Sequence, residues 1–216
     1  MLRVNFKSKE IPLEVLCIGS HSDDIEIGCG GSIIRLLGDH TNVSVTWVVL
    51  AGGDQRSNEA AGAAEEFLTG ARTSQIKIEE FKDGFFPYKG EEIKLYFEML
   101  KDIVSPDIIF THYRNDLHQD HRLVSELTWN TFRNHLILEY EIIKYDGDIG
   151  VPNFFVHLDE NICSRKIDIL MKHHQSQAGK DWFTPDTFWS VMRLRGIEGR
   201  AAGRYAEAFH VRKLSY

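Results

Sequence analysis

The sequence predicts an α/β fold in three layers, with helices on both faces of a mostly parallel sheet. Short apolar segments typical of buried strands alternate with amphipathic segments of helical period through the first half of the chain. Single helices separate successive predicted strands, which is the connection that parallel strands require. The 216 residues fit one domain, and no repeat, low-complexity tract or linker divides them.

A β-α-β unit opens this arrangement. Residues 13–19 and 42–51 are apolar runs that end at or beside glycine, so both are predicted to be buried strands. Between them, residues 30–37 place three aliphatic side chains at helical spacing, and Gly38 is a typical stop signal.

Two further strands with their helices continue the alternation. Residues 57–68 form an alanine-rich segment with carboxylates in its first turn, as expected of a helix, and residues 75–79 are predicted to be a strand. An apolar stripe predicts a helix over 91–104. A strand at 107–111 completes what we interpret as a Rossmann-like sheet.

The remainder of the chain is less regular. Residues 141–145 and 153–157 are predicted to be strands, and residues 160–174 a helix. A final helix is predicted at 200–209.

The balance of charge excludes some classes of partner. The net charge of −7 has the wrong sign for a protein that binds phosphate backbones, so we expect no nucleic-acid partner. Apolar runs fall short of the roughly 20 residues needed to span a bilayer. The amino terminus also lacks the profile of a secretion signal, and we expect a soluble, cytoplasmic protein without a membrane span.

The three cysteines have unrelated spacings, which argues against a redox pair or a structural zinc site. Cys17, Cys29 and Cys163 are expected to be reduced and mostly buried. Cys29 lies eight positions after His21, where a thiolate could reach a metal. A small buried residue at the start of a helix is the favoured interpretation of Cys29.

Two polar segments follow predicted strands at equivalent places. His21-Ser22-Asp23-Asp24 comes directly after the first strand, and residues 112–121 (HYRNDLHQDH) come directly after the fourth. In a doubly wound sheet these two strands commonly lie side by side, and ligands bind beyond their carboxyl ends. We therefore expect the two segments to meet in space.

A divalent metal explains the two segments together. Taken singly, a histidine after a strand is usually a structural hydrogen-bonder, and paired aspartates there usually form a turn or a helix cap. A catalytic zinc site takes about three nitrogen or oxygen ligands and leaves one position for water. His21, Asp24 and His121 would supply that set. Asp23 cannot point the same way as Asp24, which leaves it free to serve as a base.

The same segments resemble the signatures of a known family, the PIG-L/LmbE-like N-deacetylases. The resemblance lies in HSDDIEIGCGG at 21–31 and in HQDH at 118–121. Residues 52–66 are similar to the family's glycine-rich turn and the helix that follows it. Residues 174–177 and 205–209 look like its carboxyl-terminal pattern, so the resemblance spans most of the chain.

This resemblance implies a zinc-dependent N-deacetylase in which residues 1–216 form a single LmbE-like domain, other divalent ions being alternatives to zinc. Family members remove acetyl groups from N-acetylglucosamine units in lipid, thiol and antibiotic precursors and in chitin fragments, so the implied partner is a small-molecule amino sugar. The resemblance supports the same three ligands and Asp23 as the base. It adds His118 as the histidine that helps stabilise the tetrahedral intermediate. Ser22 and Gln119 stand where the family usually has proline, and neither departure removes a ligand.

Two polar residues beside these segments have candidate roles. Arg56, just past the second strand, could bind a sugar hydroxyl or phosphate through paired hydrogen bonds. It could equally pair with Glu59 on the same helix turn. Asp120 could orient His118 or a metal ligand from behind.

Aromatic residues at 85–88 and 182–183 could stack on the faces of a sugar. Core or subunit contacts are the more common use of such residues. A homo-oligomer is therefore an open alternative to a monomer.

Three competing interpretations stay open. A histidine and a carboxylate at 21–23 with a distant histidine also fit a non-haem iron oxygenase, although such enzymes are typically all-β barrels. The run Gly28-Cys29-Gly30-Gly31 could cradle a nucleotide phosphate in a non-catalytic nucleotide- or sugar-binding module, although it is not a full G-x-G-x-x-G motif. A metal-dependent phosphoesterase would usually need a second ion and more carboxylates.

Overall fold

In the described part of the chain, seven strands form one sheet in which the first five strands run parallel. The structure is a computed structural model that describes residues 11–215. The strands are β1 (Leu13–His21), β2 (Val43–Ala51), β3 (Thr73–Ile78), β4 (Ile108–His112), β5 (Leu136–Tyr140), β6 (Phe154–Leu158) and β7 (Tyr205–His210). Their order is β3-β2-β1-β4-β5-β7-β6, and β7 is antiparallel to both of its neighbours.

Helices cover both faces of this sheet. They are α1 (Asp24–Asp39), α2 (Asp54–Phe67), α3 (Gly90–Ile103), α4 (Gln119–Thr131), α5 (Glu160–His173) and α6 (Pro185–Glu198), with short 3₁₀ turns at Phe86–Lys89 and Gln175–Gln177. Helices α1, α2, α5 and α6 pack in one apolar core, and α3 and α4 pack in the other. The predicted three-layer α/β/α fold with a mostly parallel sheet is therefore confirmed.

The alternation of side chains along β1 builds both cores at once. Val15 and Cys17 pack in the core of α1 and α2, whereas Leu16 and Ile18 pack in the core of α3 and α4. Successive side chains of a strand point to opposite faces, so a continuous apolar run is what a central strand covered on both sides requires. The same pattern in β2 explains why these two strands were visible in the sequence.

Helix α1 begins at Asp24, six residues before the predicted start, and therefore contains the glycine run at 28–31. A Cβ atom on Gly28 would lie 2.2 Å from the ring of Tyr140, and one on Gly30 would lie 2.6 Å from the ring of Phe67. These glycines allow side chains to approach the helix closely. Buried inside a helix, they do not form a phosphate cradle at its start, and the fold is not the all-β barrel of the iron oxygenases.

Two elements predicted in the second half of the chain were wrong. Residues 205–210 form strand β7 and not the end of a helix over 200–209. The Ala-Glu-Ala sequence favours a helix locally, but β7 lies between β5 and β6 and pairs with both, so tertiary pairing overrides local propensity. The strand predicted at 141–145 lies five residues earlier, at Leu136–Tyr140, in register with β4.

Helices α4 and α6 were not predicted, because residues 112–121 drew attention as a ligand-rich loop and α6 has no clear apolar stripe. Among residues 11–215, no helix combines the length and the apolar character needed to cross a membrane.

Candidate metal centre

The two polar segments meet at the carboxyl ends of β1 and β4. These strands are neighbours in the sheet, with Cys17 opposite Phe110. His21 ends β1 and is followed at once by α1, while His118 is the N-cap residue of α4. His21 Nδ1 lies 3.1 Å from His121 Nε2, although the residues are 100 positions apart.

His21, Asp24 and His121 form a compact triangle of potential ligand atoms. The distances are 3.1 Å between the two imidazole nitrogens, 3.3 Å from His21 Nδ1 to Asp24 Oδ2 and 3.5 Å from His121 Nε2 to Asp24 Oδ1. Ligands at about 2.0–2.1 Å from a tetrahedral zinc ion lie about 3.4 Å from one another. Each pair of residues is therefore spaced as in such a site, but His21 approaches Oδ2 of Asp24 and His121 approaches Oδ1, so the two imidazoles do not share one Asp24 oxygen at these distances.

Each imidazole of this triangle has a carboxylate behind it. Asp120 Oδ2 lies 3.1 Å from His21 Nε2, and Asp116 Oδ2 lies 2.9 Å from His121 Nδ1. Histidines that bind metals almost always donate their other ring N–H to such a partner. Both carboxylates are themselves held by backbone N–H groups. Asp120 accepts hydrogen bonds from Gly84 and Phe86, and Asp116 accepts one from His118.

Among the described residues, three groups bring one potential ligand atom per residue within 4.8 Å of one another: His21 with His118 and His121; Asp24 with His112 and His121; and His21 with Asp83, His118 and Asp120. The predicted trio of His21, Asp24 and His121 is divided between the first two groups. His112 is fully buried, stacks on His121 with 3.9 Å between ring centroids and lies 3.2 Å from Asp24 Oδ2. The centre is thus a His/Asp cluster that could hold a metal ion.

The electrostatics of the two triangle histidines differ. Burial is the largest influence on His121 and, with the neighbouring His112, lowers the pKa of His121 to about 4, which keeps this imidazole neutral as a ligand must be. Burial also acts to lower the pKa of His21, but the carboxylates of Asp24, Asp120 and Asp83 outweigh it and raise the pKa well above its usual value. His21 therefore sits in a surplus of negative charge, which favours a cation.

Asp24 is the carboxylate at the centre of the cluster. Its Oδ2 accepts the backbone N–H of His21 at 2.6 Å. Burial alone would raise the pKa of Asp24, but the imidazoles of His121, His112 and His21 hold it well below its usual range. Asp24 is therefore ionised, as a metal ligand must be.

Asp23 occupies the N-cap position of α1, yet its side chain makes no capping hydrogen bond. The residue is only 5% exposed, and its Oδ1 lies 3.5 Å from Arg56 Nη2. The usual structural use of an aspartate at a helix start therefore does not account for Asp23.

His118 lies partly exposed beside both triangle histidines. Its ring centroid is 4.9 Å from that of His21 and 4.5 Å from that of His121. Its Nδ1 accepts the backbone N–H of Asp120, which requires the proton of the neutral ring to be on Nε2. Burial, followed by the charge of His21, lowers the pKa of His118.

Arg56 faces the centre rather than Glu59, which was the alternative partner on its own helix. The guanidinium donates to Ser22 Oγ at 2.9 Å and to Asp83 Oδ2 at 2.8 Å. Glu59 instead accepts hydrogen bonds from Ser176. Asp120 contacts the ring of His21 rather than that of His118, to which it offers only its backbone N–H.

Three residues of the centre were missed in the sequence. Asp83 is 51% exposed and lies 3.1 Å from His21 Nε2, but it comes from the loop after β3, where nothing marks it. Asp116 and His112 lie within the ligand-rich segment, so the density of ionisable residues there was the available signal. Their specific contacts depend on the packing of α4 against β4.

The predicted aromatic residues divide into core and surface. Phe86 and Phe183 are buried in the cores, whereas Phe85 and Tyr88 are exposed directly after Asp83. Cys29 is fully buried, and burial together with a hydrogen bond to Cys17 raises the pKa of its thiol well above the usual value. Cys29 is therefore a protonated core residue.

Two comparisons by sequence relate this chain to known deacetylases. The family model described as PIG-L: GlcNAc-PI de-N-acetylase matches residues 16–132. The uncharacterized deacetylase YaiS of Escherichia coli (strain K12) is 25% identical over 170 residues, which cover 74% of this chain and 89% of that protein.

Solved structures show how widely the fold is used. The N,N'-diacetylchitobiose deacetylase of Pyrococcus horikoshii superposes with a TM-score of 0.68 at 21% identity, covering 92% of this chain and 83% of its own. GalB of Pseudomonas putida KT2440, a 4-carboxy-2-hydroxymuconate hydratase, has a TM-score of 0.73 at 17% identity, covering 94% and 98%. Since a deacetylase and a hydratase share this fold, the reaction must be argued from the site.

Proposed function

The chain belongs to the PIG-L family of deacetylases, and on that premise we propose that it is a zinc-dependent hydrolase that removes the N-acetyl group from an N-acetylglucosamine-type amino sugar or its conjugate. The observation that carries the proposal is the triangle of His21, Asp24 and His121 with a carboxylate behind each imidazole. Two histidines and one carboxylate are a donor set that catalytic zinc sites use with a fourth position left for water.

This ligand set is preferred over the alternatives because of what holds each ring. His21 and His121 both have an ionised carboxylate at the nitrogen that faces away from the triangle. His118 has a backbone N–H at its corresponding nitrogen, so it lacks the partner that strengthens a ligand. We therefore assign His118 to catalysis and not to the metal.

A zinc ion bound there would supply Lewis acidity, lowering the pKa of water and stabilising negative charge on the acetamide oxygen. Asp23 is our candidate for the general base because it is buried beside Asp24 and is not used to cap the helix. It would take the proton of the attacking water and return it to the departing amine. Arg56, 3.5 Å from Asp23 Oδ1, would keep this carboxylate oriented.

His118 would stabilise the charge that develops on the carbonyl oxygen. Its Nδ1 is occupied by the Asp120 N–H, so Nε2 carries the proton of the neutral ring. His118 can therefore donate a hydrogen bond to the oxyanion without being positively charged, which agrees with its lowered pKa.

The mouth of the site favours a polyhydroxylated substrate. Arg56 and Asp83 form a partly exposed pair at 2.8 Å, and the exposed rings of Phe85 and Tyr88 follow Asp83 along the chain. Sugar hydroxyls could replace the mutual contact of the charged pair, since guanidinium donates and carboxylate accepts. Exposed aromatic rings could stack on the sugar.

The proposal is tested by measuring acetate release from a panel of N-acetylated sugars, both free and nucleotide-linked, before and after treatment with a chelator. We expect at least one N-acetylglucosamine-type substrate to be hydrolysed, the activity to disappear with chelator and to return with added zinc. His121→Ala should remove both the bound zinc and the activity.

The matched control is His135→Ala. His135 lies at the amino end of β5, whereas the metal centre lies at the carboxyl ends of the strands, and its ring packs against Phe132. This variant should retain zinc and activity. Acetate release that survives complete removal of metal would refute the mechanism, and release from none of the amino sugars would refute the substrate class.

A further inference from the structure

We propose that Lys144 is a positioning residue of the metal centre, which holds Asp116 against His121 and thereby raises the affinity of the centre for zinc. The inference rests on the proposed assignment of His121 as a ligand. It extends the centre to a segment that has neither helix nor strand, residues 141–153 between β5 and β6.

Lys144 turns inward from this segment. Only 9% of its side chain is exposed. Its ammonium group faces three acceptors, Asp116 Oδ2 at 3.0 Å, Asp148 Oδ2 at 2.5 Å and the carbonyl oxygen of Ile142 at 3.3 Å. Lys144 donates hydrogen bonds to Asp148 and to the Ile142 carbonyl oxygen, and it forms an ion pair with Asp116.

Asp116 connects this lysine to the centre. Its Oδ2, which faces Lys144, also lies 2.9 Å from His121 Nδ1. Its Oδ1 accepts the backbone N–H of His118 at 2.7 Å. One carboxylate thus orients both His121 and His118, and its own position is shared between the histidines and Lys144.

Without the ammonium group, two buried carboxylates would be left facing each other. The side chains of Asp116 and Asp148 are only 2% and 6% exposed, and in each of them it is Oδ2 that faces the Lys144 ammonium group. Like charges at such a distance repel strongly in a poorly hydrated site. Asp116 would turn away from Asp148 and would no longer hold His121 for the metal.

The segment around Lys144 has a second anchor, which provides a matched control. Asp148 Oδ2 accepts the backbone N–H of Leu117 at 2.7 Å, so Asp148 ties the segment to the loop before α4. A purely structural Lys144 would act through this tie alone. Asp148→Asn weakens the tie but leaves Lys144 on Asp116.

The experiment measures the zinc dissociation constant of the metal-free full-length protein by competition with a chromogenic chelator. Removal of a partner behind a ligand typically weakens metal binding by 10–100-fold, so we expect Lys144→Met to weaken it by about 10-fold. Asp148→Asn should change it by less than about threefold. Lys144→Arg should recover most of the affinity, because it retains a charged donor.

A double-mutant comparison tests the route through Asp116. In an Asp116→Asn background, Lys144→Met should cause little further loss of zinc affinity, since the group through which it acts is already gone. Circular dichroism and urea unfolding of each variant show that it is folded. If Lys144→Met does not fold, Lys144→Gln replaces it with the same expected direction.

The outcomes separate the two proposals. Wild-type protein that does not bind zinc would refute the proposed metal centre itself. Wild-type protein that binds zinc, with Lys144→Met equally tight or with Asp148→Asn equally weakened, would refute the role of Lys144 alone.

Discussion

Two buried polar clusters lie at different positions along helix α1, and they differ in the type of group that each contains. At the start of the helix, nitrogen and oxygen atoms of His21, Asp24 and His121 face one another at 3.1–3.5 Å. The two imidazole nitrogens lie within hydrogen-bonding distance of each other. Imidazole nitrogens and carboxylate oxygens are also the groups that a zinc ion takes as ligands.

The second cluster lies two turns further along α1 and consists of Lys166 and Glu207. Glu207 accepts hydrogen bonds from the backbone N–H groups of Gly31 and Ser32 and from Lys166 Nζ. Lys166 also donates to the carbonyl oxygen of Ile27. Here each charged group has its partners within the protein, so the cluster is complete without a ligand and its role is to join α5 and β7 to α1.

Burial of charge is therefore by itself weak evidence for function. The two clusters differ in the type of their groups, since imidazoles with carboxylates can bind a metal, whereas an ammonium group and a carboxylate neutralise each other. Replacing a carboxylate by its amide should therefore affect turnover for Asp23, which lies beside the first cluster, and stability for Glu207, which belongs to the second.

The largest expected effect is that of Asp23→Asn on turnover. Loss of a general base typically lowers the rate by about 10²–10⁴-fold, whereas zinc should remain bound because Asp23 is not in the triangle. Steady-state rates and metal analysis of the purified variant measure the two quantities. Asp39→Asn is the control, since Asp39 lies at the other end of α1 and also faces an arginine, Arg35. Near-wild-type turnover of Asp23→Asn would remove it as the base.

The next effect is that of Glu207→Gln on stability. Breaking a buried ion pair by removing one partner typically costs about 3–5 kcal/mol, because the other charge is left without compensation. Urea unfolding should show this loss, while turnover per folded molecule stays close to wild type. Glu66→Gln is the control, because the exposed pair of Glu66 with Lys172 should contribute only about 0–1 kcal/mol. A loss below about 1 kcal/mol for Glu207→Gln would contradict the account of this cluster.

The features that could be predicted from the sequence are those that leave a local signal in it. The strands β1, β2 and β4 carry continuous apolar runs, and the residues that follow β1 and β4 are dense in histidine and aspartate. Both signals are local. The rule that neighbouring parallel strands present their carboxyl ends at one edge then sufficed to bring His21 and His121 together.

The features that were missed depend on contacts between distant segments. Asp83 and Lys144 come from connections with no regular structure, and nothing near them in the sequence indicates the histidine or carboxylate that they contact. Strand β7 has a helical composition and is a strand only because β5 and β6 pair with it. Local patterns cannot report such pairings.

A third buried pair, Glu26 and His174, lies between the two clusters along α1. His174 Nε2 is 3.2 Å from Glu26 Oε1, and both side chains are fully buried. Among the described residues, Glu26 Oε2 and His174 Nδ1 have no hydrogen-bond partner. The pair is therefore held together by the shared proton rather than by surrounding groups.

The smallest expected effect is the dependence of stability on pH that this pair creates. Burial lowers the pKa of His174, but the hydrogen bond and charge of Glu26 outweigh it and raise the pKa above the usual value. Burial, opposed only in part by His174, raises the pKa of Glu26. Both groups therefore bind a proton more tightly in the folded state than in the unfolded state. Their contribution to stability is complete below the unfolded pKa values and is lost as the pH rises through the folded ones.

Unfolding free energies of the zinc-free protein, measured from about pH 6 to about pH 9, should accordingly fall for the wild type. His174→Gln should flatten this dependence, because it removes the group that titrates in that range. His135→Gln should keep the wild-type slope, since His135 packs edge-on against Phe132 rather than against a carboxylate. If His174→Gln kept the full slope, the pH dependence would have to come from the metal centre and not from Glu26 with His174.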